Sequence, residues 1–567
     1  MSTNLSKEKR DNLIKKIKEI RDFISSSPQN KNTGNLLTYL SEIEKDIKGK
    51  KYGLVFEEHR ENIDDTLENN LPVLTEEESL YIDNGGQMNF LIEGDNLASL
   101  KLLEKTHNKG IACIIIDPPY NRGLNDFSYD DNYIIKEDKF KHSKWLSFMR
   151  QRLLTAHKLL TRNGVIFINI DDNEFAQLKI LCDEIFGESN FVACFPWHNR
   201  TSMQNDTDIS INHEYILCYA KNRRQNDRRL KISNSNKWYS LNDFVFQPEP
   251  LDESKFSNPD NDPRGKWKAD PFDAPAIRPN LTYEIVNPIT GAKYLPPKGR
   301  HWRTEKIKFE ALLADNRIIF GKTGTGKPQL KVFYNELISK GQIYDSWWDA
   351  EKFGTSTEGK KELLSILSDF PPEKIFDTPK PTKLYKELLK MVISPKQKNP
   401  IILDFFAGSG TTGQSVMQYN QNVDSFHELK FILCTNNQNQ ICEHAYERIK
   451  RVIKKEEYKA SLKYFKVDFI PISDKLYYEY ADDILKHIKE LVELENGVNF
   501  VNNSSLAILL TENEVEEFIH NKEAVENCKK IYLGHDVLLT GEQESLIEQN
   551  KIELNIIPEY YYRDLEA

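Results

Sequence analysis

The chain has 567 residues and a net charge of −10. That length exceeds one domain and suggests roughly three or four; no apolar run approaches the ~18 residues of a membrane span, and Met1–Arg10 lacks the apolar stretch of a signal peptide. The seven cysteines are scattered without CxxC pairing, which argues for reduced thiols in a cytoplasmic protein and against zinc ligands or disulfides.

Residues 1–80 are expected to be mainly helical. Leu13, Ile14, Ile17, Ile20 and Ile24 recur at helical spacing among charges, an amphipathic face for intramolecular core or an oligomer contact. Phe90–Leu103 reads as a short strand, a turn at Gly94-Asp95-Asn96 and a helix, with Asp95 or Asn96 as helix cap or ligand contact. Ile111–Ile116 then reads as a buried parallel strand, apolar throughout because helices cover both faces. It ends in Asp117-Pro118-Pro119-Tyr120. The prolines stop the ladder and stiffen the turn, leaving a carboxylate, a rigid backbone and an aromatic ring at the strand edge where open α/β sheets bind ligands. Such a corner suits a planar amine. The exocyclic amino group of adenine is a poor nucleophile, because its lone pair is delocalised into the ring. Asp117 can accept one of its hydrogens and a carbonyl of the Pro-Pro turn another, while Tyr120 offers a face for stacking. A plain strand-ending turn is the alternative.

The polar loop Asn121–Lys141 has the length of an active-site flap. Trp145–Leu160 is predicted helical, Val165–Ile170 a buried strand and Phe175–Ile185 a helix. Phe191–Cys194 and Tyr215–Ala220 are strand-like, flanking a polar loop with His198 and Asn199. This rhythm predicts a doubly wound parallel sheet. It breaks at Lys221–Phe376, rich in Pro, Gly, Asn, Trp and basic residues. Tyr215–Lys340 carries 23 Lys/Arg against 14 Asp/Glu, a balance of +9, whereas Ser461–Ala567 carries 10 against 22, a balance of −12. A basic middle beside an acidic tail fits a local polyanion footprint. Trp267, Trp302, Trp347 and Trp348, interleaved with Arg264, Lys266, Arg300, Arg303 and Lys306, suit base and phosphate contacts or the core of a small β-rich domain. Gly321–Lys327, GKTGTGK, imitates a phosphate loop, but Pro328 replaces the magnesium-holding Ser/Thr and lacks the N–H, so a hairpin loop is expected.

The βα rhythm resumes with a helix at Thr382–Val392, a strand at Ile401–Asp404, a glycine-rich turn Phe405–Thr412, a strand at Phe431–Cys434 and a basic helix at Ala445–Lys454. GSGTTG over Gly408–Gly413 matches the short GxGxxG pattern, whose glycines let the backbone approach a ligand closely. Asp404 just before it would complement a cation such as a sulfonium amino acid. A ligand-free tight turn is the bland reading. Together with the Asp-Pro-Pro-Tyr corner, the turn supplies a methyl donor site to match an amine acceptor site.

With both corners in place, the chain resembles amino-group DNA methyltransferases of the N6-adenine type in which DPPY precedes the glycine loop. FLIEGDNL with IIIDPPYNRG, NHEYILCYAK at Asn212–Lys221, and DTPKPTKLYKELL with IILDFFAGSGTT carry the resemblance. It is more closely similar to the modification subunit of Type III restriction–modification systems, through YGLVFEEHRE, GRHWRTEKIK, RIIFGKTGTGKP and FILCTNNQNQICEHAYERIKR. The resemblance covers roughly Tyr52 to Lys455. It implies an α/β fold: a Rossmann-like methyltransferase sheet, split into 81–220 and 377–460, with an inserted target-recognition domain at 221–376, a helical segment at 1–80 and a small acidic α/β domain at 461–567. It implies that Asp117, Pro118, Pro119 and Tyr120 hold the flipped adenine. S-adenosyl-L-methionine falls to Asp404, Phe405, Ala407, Gly408, Ser409, Gly410, Thr411 and Thr412, with Lys380 and Asp95 lining that pocket. Many relatives place an acidic residue after the strand at Phe431–Cys434 to grip the ribose; here Thr435-Asn436-Asn437 stand there, and the amide of Asn436 is the candidate to hydrogen-bond the hydroxyls. Base flipping and direct in-line transfer by positioning and electrostatics would need neither a metal nor a nucleophilic cysteine. Asp rather than Ser at 117 favours adenine over cytosine. The implied partners are double-stranded DNA, a second copy as homodimer and a separate restriction subunit carrying helicase and nuclease; no membrane is implied.

Overall fold

The computed structural model describes residues 5–26, 31–48, 56–122, 139–203, 208–223, 249–321, 323–338, 342, 344–372, 375–393, 397–421, 428–472 and 477–562. Its first strands are β1 (Asn70–Glu76), β2 (Gln87–Glu93), β3 (Ile111–Ile116), β4 (Leu160–Ile170), β5 (Phe191–His198) and β6 (His213–Ala220). The insertion holds β7 (Trp267–Pro271), β8 (Asp273–Pro275), β9 (Ile285–Val286), β10 (Lys293–Tyr294), β11 (Arg300–Trp302), β12 (Ile318–Ile319) and β13 (Gln329–Phe333). After it come β14 (Ile401–Asp404), β15 (Lys430–Thr435), β16 (Ala460–Pro471), β17 (Leu506–Leu509), β18 (Lys530–Gly534) and β19 (Glu553–Ile557).

Nine strands form one sheet in the order β1-β16-β2-β15-β14-β3-β4-β6-β5. From β16 to β4 every neighbour pair is parallel. All six residues of β3 are buried, and alternate ones feed different cores. Ile114 and Ile116 join one apolar cluster, Cys113 and Ile115 the other, as the two-residue period of a strand covered on both faces requires. β3 and β14 are adjacent, yet the chain leaves them in opposite directions, β3 toward β4 and β14 toward β15. Their carboxyl ends therefore open a crevice at the switch point of the sheet.

The sheet is not parallel throughout. β6 runs antiparallel to β4, β5 antiparallel to β6, and β1 antiparallel to β16. β1 lies inside the segment expected to be helical: Leu71, Val73 and Leu74 are buried, and the strand covers the β16 edge that would otherwise stay unpaired. β5 reaches His198, which the sequence placed in a loop. The helices Leu5–Ser26 and Lys31–Lys48 pack on each other, with Ile17 and Leu40 buried and an Arg21–Glu44 ion pair at 2.8 Å.

The compact part of the insertion has its own core of Phe272, Ile285, Trp302, Phe309, Ile318 and Phe320, closed by the Glu249–Gln342 bridge. Trp348 already belongs to the main core, its ring 4.2 Å from that of Phe195 and 4.3 Å from that of Phe353. The stretch after Gln342 thus packs with the central sheet and not with the insertion expected to reach 376. Trp267, Trp302 and Trp348 are buried, whereas Trp347 is 60 % exposed. β12 and β13 pair antiparallel on either side of the GKTGTGK segment, as expected of a hairpin, with Lys322 outside the described residues.

β16 continues past residue 460 and ties the acidic tail into the sheet. The helix Ile488–Asn496 packs on β1 and on the helix Asn96–Thr106, and β17, β18 and β19 form a separate three-stranded parallel sheet. No described helix is long and apolar enough to cross a membrane, and the seven cysteines are free thiols.

Candidate active site

The carboxyl ends of β3 and β14 share one cavity of about 670 Å3. Asp117, Pro118, Pro119 and Tyr120 line one side, Ala407, Gly408, Ser409 and Thr411 the other, with Lys380, Asp404, Phe406 and Asn436 between them. Two loops almost three hundred residues apart meet because their strands are neighbours.

The first corner is held by buried hydrogen bonds. Asn169, at the end of β4, donates to the Ile116 carbonyl at 2.9 Å and to Tyr385 at 3.2 Å. The indole of Trp145 donates to the Pro119 carbonyl at 2.7 Å. Tyr120 donates its hydroxyl to Asp117 Oδ1 at 2.7 Å, with Glu214 Oε2 at 3.2 Å. The Arg122 guanidinium lies 4.8 Å from the centre of the Tyr120 ring and is paired with Asp171 at 2.8 Å and Glu214 at 3.4 Å.

Lys380 sits between the two corners and is only 5 % exposed. Its ammonium lies 2.8 Å from Asp117 Oδ2, 3.0 Å from the Tyr120 hydroxyl and 3.4 Å from Glu214 Oε2. Burial opposes its charge, but Asp117 and Glu214 outweigh it and hold the lysine above its usual value. The sequence assigned Lys380 to the cofactor side; the structure places its charge on the Asp-Pro-Pro-Tyr corner.

The second corner is organised from within. Asp404 is 2 % exposed and accepts the Phe406 N–H at 3.0 Å and the Thr412 hydroxyl. Burial pushes its carboxyl up to about 7, against the pull of these hydrogen bonds. Gly410 caps the helix Thr411–Asn420 in the left-handed region at φ +78°, and Gly408 adopts φ +50°; both are conformations glycine tolerates best. Behind the turn, buried Arg448 donates to Ser409 Oγ at 3.1 Å, Thr411 Oγ1 at 2.8 Å and Gln414 Oε1 at 2.7 Å, and burial lowers its guanidinium to about 10.

Several expected residues take other places. Asp95 caps the helix Asn96–Thr106, accepting from Leu97 N at 2.7 Å, and lies 3.7 Å from Arg152; it is outside the cavity wall, because β2 stands two strands away from β14. Phe405 is core, Thr412 braces Asp404, and Gly410 packs against Ala445. Asn436 lines the cavity beside Gln438, Asn439 and Gln440. Glu214, Arg122, Arg448 and Phe376 were not assigned from sequence. Arg122, Glu214 and Arg448 stood inside motifs quoted for the resemblance; Phe376 carried no signal of its own. Most of the loop expected as a flap, residues 123–138, lies outside the described residues. Among the described residues no three His, Cys, Asp or Glu side chains gather as a metal site.

A switch-point crevice joining an Asp-Pro-Pro-Tyr corner to a glycine-rich turn defines a Rossmann-like methylase. More particularly, the DNA methylase family matches residues 111–447, and the chain belongs to that family. The Mod subunit of the Type III restriction-modification enzyme StyLTI of Salmonella typhimurium is 35 % identical over 419 residues, 67 % of this chain and 59 % of the relative. The EcoP15I Mod subunit of Escherichia coli is 29 % identical over 434 residues, 67 % of this chain and 64 % of the relative. The chain therefore spans less than two thirds of the length of these relatives. Among solved structures, the cytosine-N4-specific PvuII DNA methyltransferase aligns at 11 % identity and a TM-score of 0.33, over 73 % of this chain and 96 % of that one.

Proposed function

We propose that this protein transfers a methyl group from S-adenosyl-L-methionine to the N6 amino group of adenine in duplex DNA, as the modification subunit of a Type III restriction–modification system. The observation that carries the reading is the single cavity walled by Asp117–Tyr120 and by the turn Ala407–Thr411. The wall chemistry fits the cofactor: carboxylates at Asp404 and Asp117 for its positive charge, amides at Asn436, Gln438 and Asn439 for hydroxyls, and Phe376, Phe406 and Ile441 for a purine. Ser409, Gly408 and Asn436 would hold it. When bound, this cofactor supplies an electrophilic sulfonium methyl.

The chain's own residues do the rest. Asp117 and the Pro118 carbonyl accept the two amino hydrogens, so that the nitrogen lone pair turns out of the ring plane toward the glycine side. Tyr120, pinned by its hydroxyl, stacks on the extruded base, whose removal from the duplex costs a few kcal/mol. The basic, β-rich insertion contacts the duplex; its surplus of lysine and arginine supports that role. Double-stranded DNA, a second copy of the chain and a restriction subunit are the partners of such a protein, and the cytoplasm its place. The likeness to Mod subunits, and an aspartate at 117, favour adenine over cytosine. The test is to incubate the protein with genomic DNA and methyl-labelled cofactor, digest, and identify the labelled nucleoside by mass spectrometry. N6-methyladenine is expected; label in N4-methylcytosine, or no label, overturns the reading.

A further inference from the structure

Asp117 is charge-paired in this structure. Its Oδ2 faces the Lys380 ammonium at 2.8 Å. That pairing opposes the chemistry, because a nitrogen being methylated develops positive charge, and a cation beside its acceptor disfavours that charge. An ammonium this buried does not leave one carboxylate unless another receives it. Glu214 is such a carboxylate. Its Oε2 already forms a longer ion pair with Lys380 Nζ at 3.4 Å, against 2.8 Å for Asp117, and lies 3.2 Å from the Tyr120 hydroxyl. Arg122, anchored on Asp171, steadies the other oxygen at 3.4 Å. The Tyr120 hydroxyl, 3.0 Å from Lys380, stays within reach as the flexible lysine stem swings.

Resting on the amine-methylation reading above, we propose that Glu214 is a positioning residue that takes over the Lys380 ammonium when the base enters, leaving Asp117 to face the amine with its full charge. Glu214 reaches the corner because β6 runs antiparallel to β4, which brings the start of β6 to the carboxyl edge of the sheet.

The test is a double-mutant cycle on the full chain, read as the single-turnover rate of methyl transfer, with dissociation constants for cofactor and DNA measured alongside. Glu214→Gln keeps the shape and removes the charge. It should slow the step roughly 10- to 100-fold, the worth of one charge-assisted hydrogen bond, and change both dissociation constants less than about threefold. Lys380→Met removes the ammonium. Because Glu214 acts through Lys380, the double variant should be no slower than Lys380→Met alone. A full rate in Glu214→Gln, or losses that multiply in the double variant, overturns the inference while the activity itself stands. A wild-type chain that transfers no methyl group removes the reading beneath it, and the inference falls with it.

Discussion

Replacing Asp117 by Asn probes the proposed amine-binding role of the Asp-Pro-Pro-Tyr corner directly. The side chain keeps its shape, and its remaining carbonyl can still accept the Tyr120 hydroxyl, now at 2.7 Å from Oδ1. What disappears is the negative charge facing both the Lys380 ammonium at 2.8 Å and the nitrogen that becomes positive during transfer. An electrostatic contact made in the transition state is worth about 2.7–4 kcal/mol, a loss of roughly 10²–10³ in rate. The ground state suffers less, because Lys380 still has Glu214 at 3.4 Å. The glycine turn is untouched, so the cofactor dissociation constant should hold within about threefold, while the single-turnover rate, followed with radiolabelled cofactor and duplex DNA, falls at least about a hundredfold. A rate within tenfold of wild type would refute the assignment of Asp117 as acceptor of the reacting amine.

Asp404→Asn should flatten a pH dependence. The folded chain raises this carboxyl from 3.8 to about 7, so without cofactor stability is greatest below the unfolded value and declines as pH rises toward the folded one, by up to about 4 kcal/mol. Thermal midpoints between about pH 5 and pH 8 should fall less in the variant; parallel curves contradict the assignment. Arg152→Met should destabilise by about 3–5 kcal/mol, because Glu61, paired with fully buried Arg152 at 2.6 Å, is left alone in the core. Acid should restore part of the loss as Glu61 takes up a proton, which thermal unfolding at two pH values reads. Exchanging the compact insertion Glu249–Gln342 for that of a relative should change the methylated DNA sequence, read by modification-sensitive sequencing; an unchanged motif removes the insertion from target choice.

The C-terminal residues illustrate a limit on truncation. Cutting at Ser461 would strip β16 from between β1 and β2 and expose the edge of β2. A binding role for the tail is better examined with point changes on β17–β19 than by deletion.

Much of this protein was legible in its sequence because its strongest signals are local. An unbroken apolar run such as IACIII fits a strand covered on both faces, and two prolines or two glycines after a strand mark a sharp turn at its carboxyl end. The Asp-Pro-Pro-Tyr and glycine-rich turns, the α/β class and the antiparallel pairing of the strands around GKTGTGK follow from such local constraints. Strand direction and long-range partnership have no local signature. Period-two burial is the same for a strand running either way, so β6 read as one more parallel strand, and Glu214 was left without a role until its reversed direction carried it to the active edge. The apolar residues of β1 were overlooked because that strand is stabilised by pairing with β16, some four hundred residues away. The resemblance put Lys380 in the cofactor pocket, and it does line the shared cavity, but its charge is decided by the carboxylates it meets in space, Asp117 and Glu214. Local patterning specified the elements and their chemistry; only tertiary packing, through strand direction and buried charge pairing, determined which of those groups touch.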